Sequence, residues 1–457
     1  MNVSSWVSHP LIPRVSIGLG VILFVIGLAW IMRLVVTAAL LPPAYNLDFD
    51  YYMHAGRTIA QGENPYTLRA PMLGDIHVMY PYPPLLAWVL APLVTVLPLR
   101  YPFLVWVVLE LVGFGFALIL ALRSGVPPVR WHWVILVLGA ATLPFIVRDN
   151  LFHGQVDFLL ALLVTGGLVL LSRDRPVLAG IAFASAANVK PFLVVLLLYL
   201  AWRCRWRAFF AMGISGAVIL VASFLPHEIT GNSMVGSWLG NASEVGRPPY
   251  IGFPYNLSLY GLVVRTFTQT SFAEPWIVSH TLYLACSLVL AVIPIAVLLL
   301  TVPPGRPRRP NDPLMIFVEG GLVLTLMFAC GPIAEANHLL SLAPVAIAVL
   351  RLAFGSPDAV RRHRWLPAAI AWIVLLVAIL GPLNVLSWTD SIAGVPAGIQ
   401  VLFTGRVGFL LLAAALTTAW SLHREHAIDN PHLSWRRAIS SMRSRLSGRP
   451  ALVDASR

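Results

Sequence analysis

What most constrains this chain is a succession of apolar stretches too long and too many for a water-soluble core. The first runs from Val15 to Leu41 with Arg33 as its one charge. A helix needs roughly 20 apolar residues to cross the hydrocarbon core of a bilayer. Inside that core only a helix or a closed barrel satisfies its own backbone polar groups. Further stretches follow at 101–122, 131–147, 155–172, 177–189, 191–202, 208–226, 276–301, 314–331, 339–354, 366–386 and 401–421, about twelve in all and two of them short for a span. The chain of 457 residues is 58% hydrophobic and 11% charged, with mean hydropathy +0.81. These values exclude a soluble globular protein. The expected fold class is all-α: a polytopic integral membrane protein, one bundle of about twelve transmembrane helices with in-plane helices on its outer face.

The formal net charge of +12 rests on 31 Lys and Arg residues against 19 Asp and Glu, and Lys190 is the single lysine. The arginines fall in short connections between apolar stretches, where they set orientation rather than bind nucleic acid. Arg123/Arg130, Arg173/Arg175, Arg203/Arg205/Arg207, Arg306/Arg308/Arg309, Arg361/Arg362/Arg364 and the tail after Arg424 fall in register on one side, which the positive-inside rule makes cytoplasmic. Residues 42–100, 227–275, 332–338 and 387–400 then lie outside with most of the Pro, Trp, Tyr, Asn and His, and long loops of this kind tend to be functional. Three outer segments, Asp50–Gln61, Pro83–Pro98 and 258–268, read as in-plane or re-entrant helices. The first apolar stretch is expected to be a retained span, with both termini cytoplasmic in a bacterial inner membrane. Residues 1–422 form the membrane domain and 423–457 a basic tail that touches anionic lipid. Cys204, Cys286 and Cys330 are far apart and show neither a disulfide framework nor a metal spacing.

Chemistry-bearing residues sit on the outer loops. Asp48-Phe49-Asp50-Tyr51-Tyr52 follows the first span directly. A carboxylate at the bilayer edge can take the proton of an attacking hydroxyl, its basicity tuned by partial burial. The same residues could cap the helix that begins near Tyr51, with Asp48 the base and Asp50 the cap. Gly62-Glu63-Asn64-Pro65-Tyr66 is a turn, and Tyr80-Pro81-Tyr82-Pro83-Pro84-Leu85 is a rigid aromatic segment suited to the interface. In His153-Gly154-Gln155-Val156-Asp157, His153 reads as interfacial, while Gln155 and Asp157 could face a cavity. Pro191 breaks the segment 176–202 into two half-length helices with Lys190 at the apex. A cation there is costly and has a purpose, either binding a phosphate or snorkelling to the interface. Asn256-Leu257-Ser258 begins another outer helix and offers either an N-cap or an amide for sugar hydroxyls. His338 follows Glu335-Ala336-Asn337 at the mouth of a span, beside an acid that could orient it. Arg406 is a further phosphate candidate. Glu110, Glu319 and Arg33 lie within apolar runs, where they could form an ion pathway or pair with one another.

In this order the motifs resemble the GT-C superfamily of polytopic glycosyltransferases, and most closely glycosyltransferase family 87. The matching pieces are Asp48-Phe49-Asp50-Tyr51-Tyr52, Gly62-Glu63-Asn64-Pro65-Tyr66, Tyr82-Pro83-Pro84-Leu85, Gly154-Gln155-Val156-Asp157, Lys190-Pro191, Asn256-Leu257-Ser258-Leu259 and His338, over roughly residues 45–345. The resemblance implies a polyprenyl-phosphate-sugar donor, typically the mannose form, a lipid-attached or glycan acceptor, and inverting chemistry on the outer face. By motif position Asp48 would be the catalytic base, with Asp50 beside it. Lys190, His338, Asn256, Gln155, Arg406 and Tyr52 would contact substrate. Two positions depart from the family pattern: Leu257 stands where the family often has Gln, and Asp157 where it often has Asn. No cofactor is expected, although two aspartates and a histidine meeting in space would leave a divalent metal open. The competing readings are a transporter or flippase for a lipid-linked sugar, and a non-enzymatic membrane subunit. The absence of an inverted repeat speaks against the transporter.

Overall fold

The structure is a computed structural model that describes residues 11–40, 47–67, 70–73, 76–97, 101–125, 127–231, 233–253, 256–270, 275–305, 311–380 and 397–429. The arginines of 306–309, the expected loop 387–396 and the tail beyond 429 lie outside them.

The elements run in order as follows. Helix α1 is Leu11–Leu40 and α2 is Leu47–Ala60, followed by a two-stranded antiparallel hairpin, β1 (Ala70–Leu73) and β2 (Ile76–Val78). Then come α3 (Leu85–Val96), α4 (Tyr101–Arg123), α5 (Trp131–Ala141), α6 (Phe145–His153), α7 (Asp157–Ser172) and α8 (Pro176–Val189). A 3-10 turn at Pro191–Val195 leads into α9 (Leu196–Trp202), α10 (Trp206–Ile229) and α11 (Met234–Val245). The remainder is α12 (Leu259–Phe267), α13 (His280–Thr301), α14 (Pro313–Cys330), a 3-10 turn at Asn337–Leu342, α15 (Ala343–Phe354), α16 (Ala359–Leu380) and α17 (Ala397–Asp429). The expected all-α membrane bundle is what forms, and the small hairpin in the outer loop is its one β element among the described residues.

Eight of these helical segments are long and apolar enough to cross a bilayer, and α5 with α6 makes a ninth that is bent by 61°. The three remaining expected spans are α7, α8 and the pair of 3-10 turn and α9, all shorter apolar helices. The sequence put a span at 131–147 with a loop after it. The chain instead bends after Thr142, and α6 stays helical to His153 because Pro144 starts a new helix without breaking a hydrogen bond.

The bundle is sorted from outside in by burial. Helix α14 is 83% buried over its apolar window, while α13 is 11% buried and faces lipid. Helix α14 packs on α7, α15 and α17, and α8 lies between α7 and α10. Small residues let some of these backbones close up: a Cβ on Gly139 of α5 would lie 2.0 Å from the Gly20 carbonyl oxygen of α1. Membrane helices use such small-residue contacts for packing.

Chain direction assigns the two ends of the bundle. Helix α7 runs from Asp157 to the turn with Arg173 and Arg175, α8 returns to Lys190, and α9 descends to Arg203. Arg351 of α15 donates to the carbonyls of Leu122 and Pro127, so Arg123 lies at the arginine end too. Tyr82 before α3 and Phe103 after it both pack at the Lys190 end. The chain therefore enters and leaves α3 at the same end, and α3 does not cross, as the sequence expected of Pro83–Pro98.

Two of the charges inside apolar runs, Glu110 and Glu319, have structural partners, and these are neither each other nor Arg33. Arg203 holds Glu319 through two bonds, Nε to Oε2 at 2.9 Å and Nη2 to Oε1 at 3.1 Å. His426 adds a contact of 3.4 Å to the same carboxylate. Glu110 accepts from the backbone N–H of Phe158 at 2.9 Å and of Leu159 at 3.4 Å, which caps the first turn of α7 from a neighbouring helix. Arg33 is exposed on α1.

Arg203 and Glu319 are 1% and 2% exposed. Removing one partner of such a pair leaves a buried charge unpaired, at about 3–5 kcal/mol. Glu319→Ala is expected to lower the thermal unfolding midpoint of the detergent-purified protein by several degrees, and the double variant Arg203→Met/Glu319→Met to recover part of that loss. Equal midpoints for Glu319→Ala and the parent would show that the pair holds nothing together.

Candidate active site

The polar centre is assembled at the end of the bundle opposite the arginines. Helix α2 supplies the first piece. Phe49, Tyr52, Ala55 and Ile59 are buried, at the spacing of three to four that gives a helix one apolar face. That face packs along α3. Phe49 also stacks near Phe103 and Trp106, with ring centroids 5.3 and 5.9 Å away. Asp48 sits one helical turn before Tyr52, so the two side chains lie above one another. Both acids in the first turn are favoured by the helix dipole.

The second piece is the junction of α6 and α7. Gly154 ends α6 with φ of +62°, the left-handed geometry that glycine adopts without strain. A Cβ there would also come within 2.5 Å of the Phe49 Cβ. Trp106 Nε1 donates to the Gly154 carbonyl at 2.8 Å, and the Gln155 N–H donates to the Asn150 carbonyl at 2.9 Å. These bonds fix the backbone that carries Gln155 and Asp157.

The third piece is the break at Lys190-Pro191. Lys190 is 1% exposed and Asp157 is 2% exposed. The Lys190 Nζ donates to Asp157 Oδ2 at 2.8 Å and to Gln155 Oε1 at 3.2 Å. It also lies 5.8 Å from the centroid of the Tyr82 ring, a cation–π distance. Tyr52 donates its hydroxyl to Gln155 Oε1 at 2.9 Å. The fourth piece is the 3-10 turn before α15. Asn337 Nδ2 donates to Asp157 Oδ2 at 2.9 Å. His338 lies against Phe192 and Phe328 with centroids 4.9 and 6.1 Å away. The Glu335 backbone N–H donates to His338 Nδ1 at 3.3 Å. This places the ring proton on Nε2, 3.9 Å from Glu335 Oε2.

Asp48, Tyr52, Gln155, Lys190 and His338 thus come together from four distant stretches of chain. Asp48 remains partly exposed. Burial pushes its carboxyl up from the usual range, and the charges of His153 and Lys190 and a hydrogen bond with Gln155 pull it back. Glu335 is pushed up to about 7, chiefly by burial, with the Lys190 charge opposing. Asp157, which the sequence placed facing a cavity, belongs to the centre, and two further residues, Asn337 and Tyr82, were not among the expected contacts although each lies inside a motif already singled out.

Other expected site residues fall elsewhere. Asp50 lies two residues past Asp48, some 200° round the helix, and its charged neighbour is Arg57 rather than the Lys190 centre. Burial raises it to about 6. Asn256 was expected to offer its amide to a sugar, but its hydrogen-bonding capacity is used within the protein. Its Nδ2 donates to the Ile251 and Pro332 carbonyls at 2.8 and 2.6 Å, and its Oδ1 accepts from Ser258 and Ala334 at 3.1 and 3.0 Å. Ser258 is the N-cap of α12, accepting from the Gly261 N–H. Arg406 of α17 is half-buried between Gly405, which abuts Leu262, and Gly408, which abuts Leu257 and Leu259. His153 pairs with Asp149 at 3.4 Å. No three His, Cys, Asp or Glu residues among the described ones are arranged to hold a metal ion.

The fold is an α-helical membrane bundle in which a carboxylate, a cation and a histidine lie at one end. The family model for glycosyltransferase family 87 matches residues 80–332, more than half of the chain, and the protein belongs to that family of GT-C membrane glycosyltransferases. A search of solved structures finds ArnT from Cupriavidus metallidurans in the apo state at 15% identity and a TM-score of 0.34, covering 88% of this chain and 77% of that one. A search of curated proteins returns no match.

The raised Glu335 carboxyl carries a pH signature. A carboxyl with a folded pKa above its ordinary value adds stability while protonated in both states, and loses it as pH rises from about 4.5 through about 7. The thermal midpoint should fall over that window, and Glu335→Gln should make the fall shallower. An identical slope in parent and variant would remove Glu335 from the buried centre.

Proposed function

We propose that the protein transfers a sugar from a polyprenyl-phosphate-sugar donor to a hydroxyl of a lipid-attached or glycan acceptor, with Asp48 as general base. The observation that carries this reading is the meeting of Asp48, Lys190 and His338 at the bundle end away from the arginines. Asp48 takes the acceptor hydroxyl proton as that oxygen bonds to the anomeric carbon. The bond from that carbon to the phosphate oxygen breaks, and polyprenyl phosphate departs with inversion. A base made more basic by burial, yet partly exposed, suits this task.

The leaving phosphate gathers charge, and stabilising it is the largest expected catalytic contribution. Lys190 spends two of its three N–H donors on Asp157 and Gln155, which leaves the third for a phosphate oxygen. His338 offers its Nε2–H. Asp50, Asn256 and Arg406 take no part in this version. Mannose is the sugar we favour, with arabinose an alternative that the same centre could accept. The arginine end is cytoplasmic by the positive-inside rule, so the reaction takes place on the outer face of the membrane. Two lipid-borne substrates held in one bilayer plane gain proximity as well.

Purified protein in lipid nanodiscs, given labelled polyprenyl-phosphate-mannose and extracted host lipids, should transfer the label. Asp48→Asn should lower the rate by about 100-fold or more at an unchanged thermal midpoint. Undiminished transfer by folded Asp48→Asn would move the base elsewhere. Turnover of the donor by neither protein, with mannose and arabinose donors alike, would overturn the donor class.

A further inference from the structure

We propose that Arg265 is the phosphate anchor of a lipid-binding site at the corner of α12 and α13, separate from the Asp48, Lys190 and His338 centre. The ligand is a lipid whose headgroup carries a phosphodiester. The inference does not depend on which residue is the base or on which sugar is transferred.

Arg265 lies in the last turn of α12 and is 2% exposed. Its Nη1 donates to the carbonyls of Phe253 and Asn256 at 3.0 and 3.1 Å. Its Nε and Nη2 are buried and have no hydrogen-bond acceptor among the described residues. A guanidinium carries five N–H donors in one plane, so the three along the Nε–Nη2 edge are unmatched. Burial pulls the group down to about 10, and no carboxylate among the described residues opposes the fall. Arg203 shows what this edge is for: its Nε and Nη2 grip the two oxygens of Glu319. A buried cation without a counter-charge is costly, and the open edge of Arg265 fits two oxygens of one anion.

The surroundings select the anion. The hydroxyls of Tyr260 on α12 and Tyr283 on α13 are bonded at 2.8 Å, and tyrosines of membrane proteins gather at headgroup depth. Arg265 lies about 7.5 Å of helical rise from Tyr260. The segment leading into α13 runs beside the end of α12. Its Ile277 N–H donates to the Thr266 carbonyl at 3.4 Å, and its Ser279 N–H to the Phe267 carbonyl at 3.2 Å. Trp276, Ile277 and Val278 on that segment are exposed, and α13 beyond them is the least buried of the eight spans. A cation with an open edge thus neighbours an apolar strip that faces lipid. Free phosphate uses only the first of these features, whereas a phosphodiester bearing acyl chains uses both.

The same corner is tied to the active centre. Asn256, whose carbonyl holds Arg265, accepts from the Ala334 N–H through its side chain at 3.0 Å, and the Leu257 N–H donates to the Ala334 carbonyl at 2.7 Å. Glu335, Asn337 and His338 follow directly in the chain. A headgroup on Arg265 therefore steadies the loop that carries His338. The phosphate has two sources, the lipid acceptor itself or a phospholipid of the membrane, and they are separable.

The full chain, stripped of lipid in detergent, is titrated with dioleoylphosphatidylglycerol while its thermal midpoint is followed, with dioleoylglycerol and inorganic phosphate as controls. The phospholipid should raise the parental midpoint by several degrees, and neither control should match it. Arg265→Met should need about tenfold or more lipid for half of the shift. Arg265→Lys keeps a charge that can bond the Phe253 and Asn256 carbonyls but has no fork, and Trp276→Ala alters only an exposed position. Each should give a smaller shift than the parent, so the test stands even where Arg265→Met folds poorly. Arg247→Gln, which removes an exposed cation, should respond as the parent does. Transfer in nanodiscs with extracted host lipids separates the two sources. An acceptor KM raised about tenfold in Arg265→Lys assigns the anchor to the acceptor, and an unchanged one assigns it to membrane phospholipid. No shift in the parent, a parental response in both Arg265 variants, or an equal shift with inorganic phosphate or dioleoylglycerol would overturn the site. The thermal titration needs no turnover, so its result is independent of the glycosyl-transfer reading.

Discussion

The buried pair of Lys190 and Asp157 is the interaction on which the rest of the site depends. Each group alone would be costly to hold at 1–2% exposure. The 2.8 Å contact between them makes both tolerable together with the Gln155 oxygen that also accepts from Lys190 and the Asn337 amide that also donates to Asp157. The pair ties the start of α7 to the break between α8 and α9, and through Asn337 to the turn before α15. Three separate stretches of chain are thereby held at one depth. Asp157 supplies the carboxylate that neutralises the only lysine of the chain.

Around that pair the helices divide their labour by length. The long helices α1, α10, α13 and α16 present apolar surface to lipid, with Val218, Leu288 and Val377 among their exposed residues. Helices α7, α8 and α9 are short because they end at the polar centre. Non-helical backbone within a membrane bundle is tolerated where it is buried in protein or lines a polar cavity. The break at Lys190-Pro191 and the turn at Gly154 are both of that kind. Helices α2 and α3 lie at the Lys190 end, so Asp48 approaches the cation from the end of the bundle.

Glu110 and Glu319 show two structural uses of a charge in an apolar run. Read along the chain, each could belong to an ion pathway or pair with another buried charge. One caps a neighbouring helix, and the other grips an arginine through two bonds. Neither outcome is legible in a sequence, because both partners lie dozens of residues away. Asn256 misled in the opposite direction: its motif looked like a sugar contact, and its amide is consumed in stitching the α12 corner to the loop after α14. Asp50 was set beside Asp48 by adjacency alone, and helical rotation separates them.

The sequence by itself determined the class of fold, the approximate positions of the membrane helices and the family, and it favoured an α3 that does not cross. These follow from local properties: apolar length against bilayer thickness, arginine asymmetry, and proline and glycine at fixed places. It also marked Asp48, Lys190 and His338 as the residues to follow. Only the tertiary structure decided that the Gln155 oxygen takes both Tyr52 and Lys190, that Asp157 and Asn337 belong to the centre, and that the Asn256 amide is used within the protein. Those facts depend on which groups meet across the bundle. A hydrogen bond's partner is fixed by packing among helices distant in sequence, and no periodicity along one segment records it.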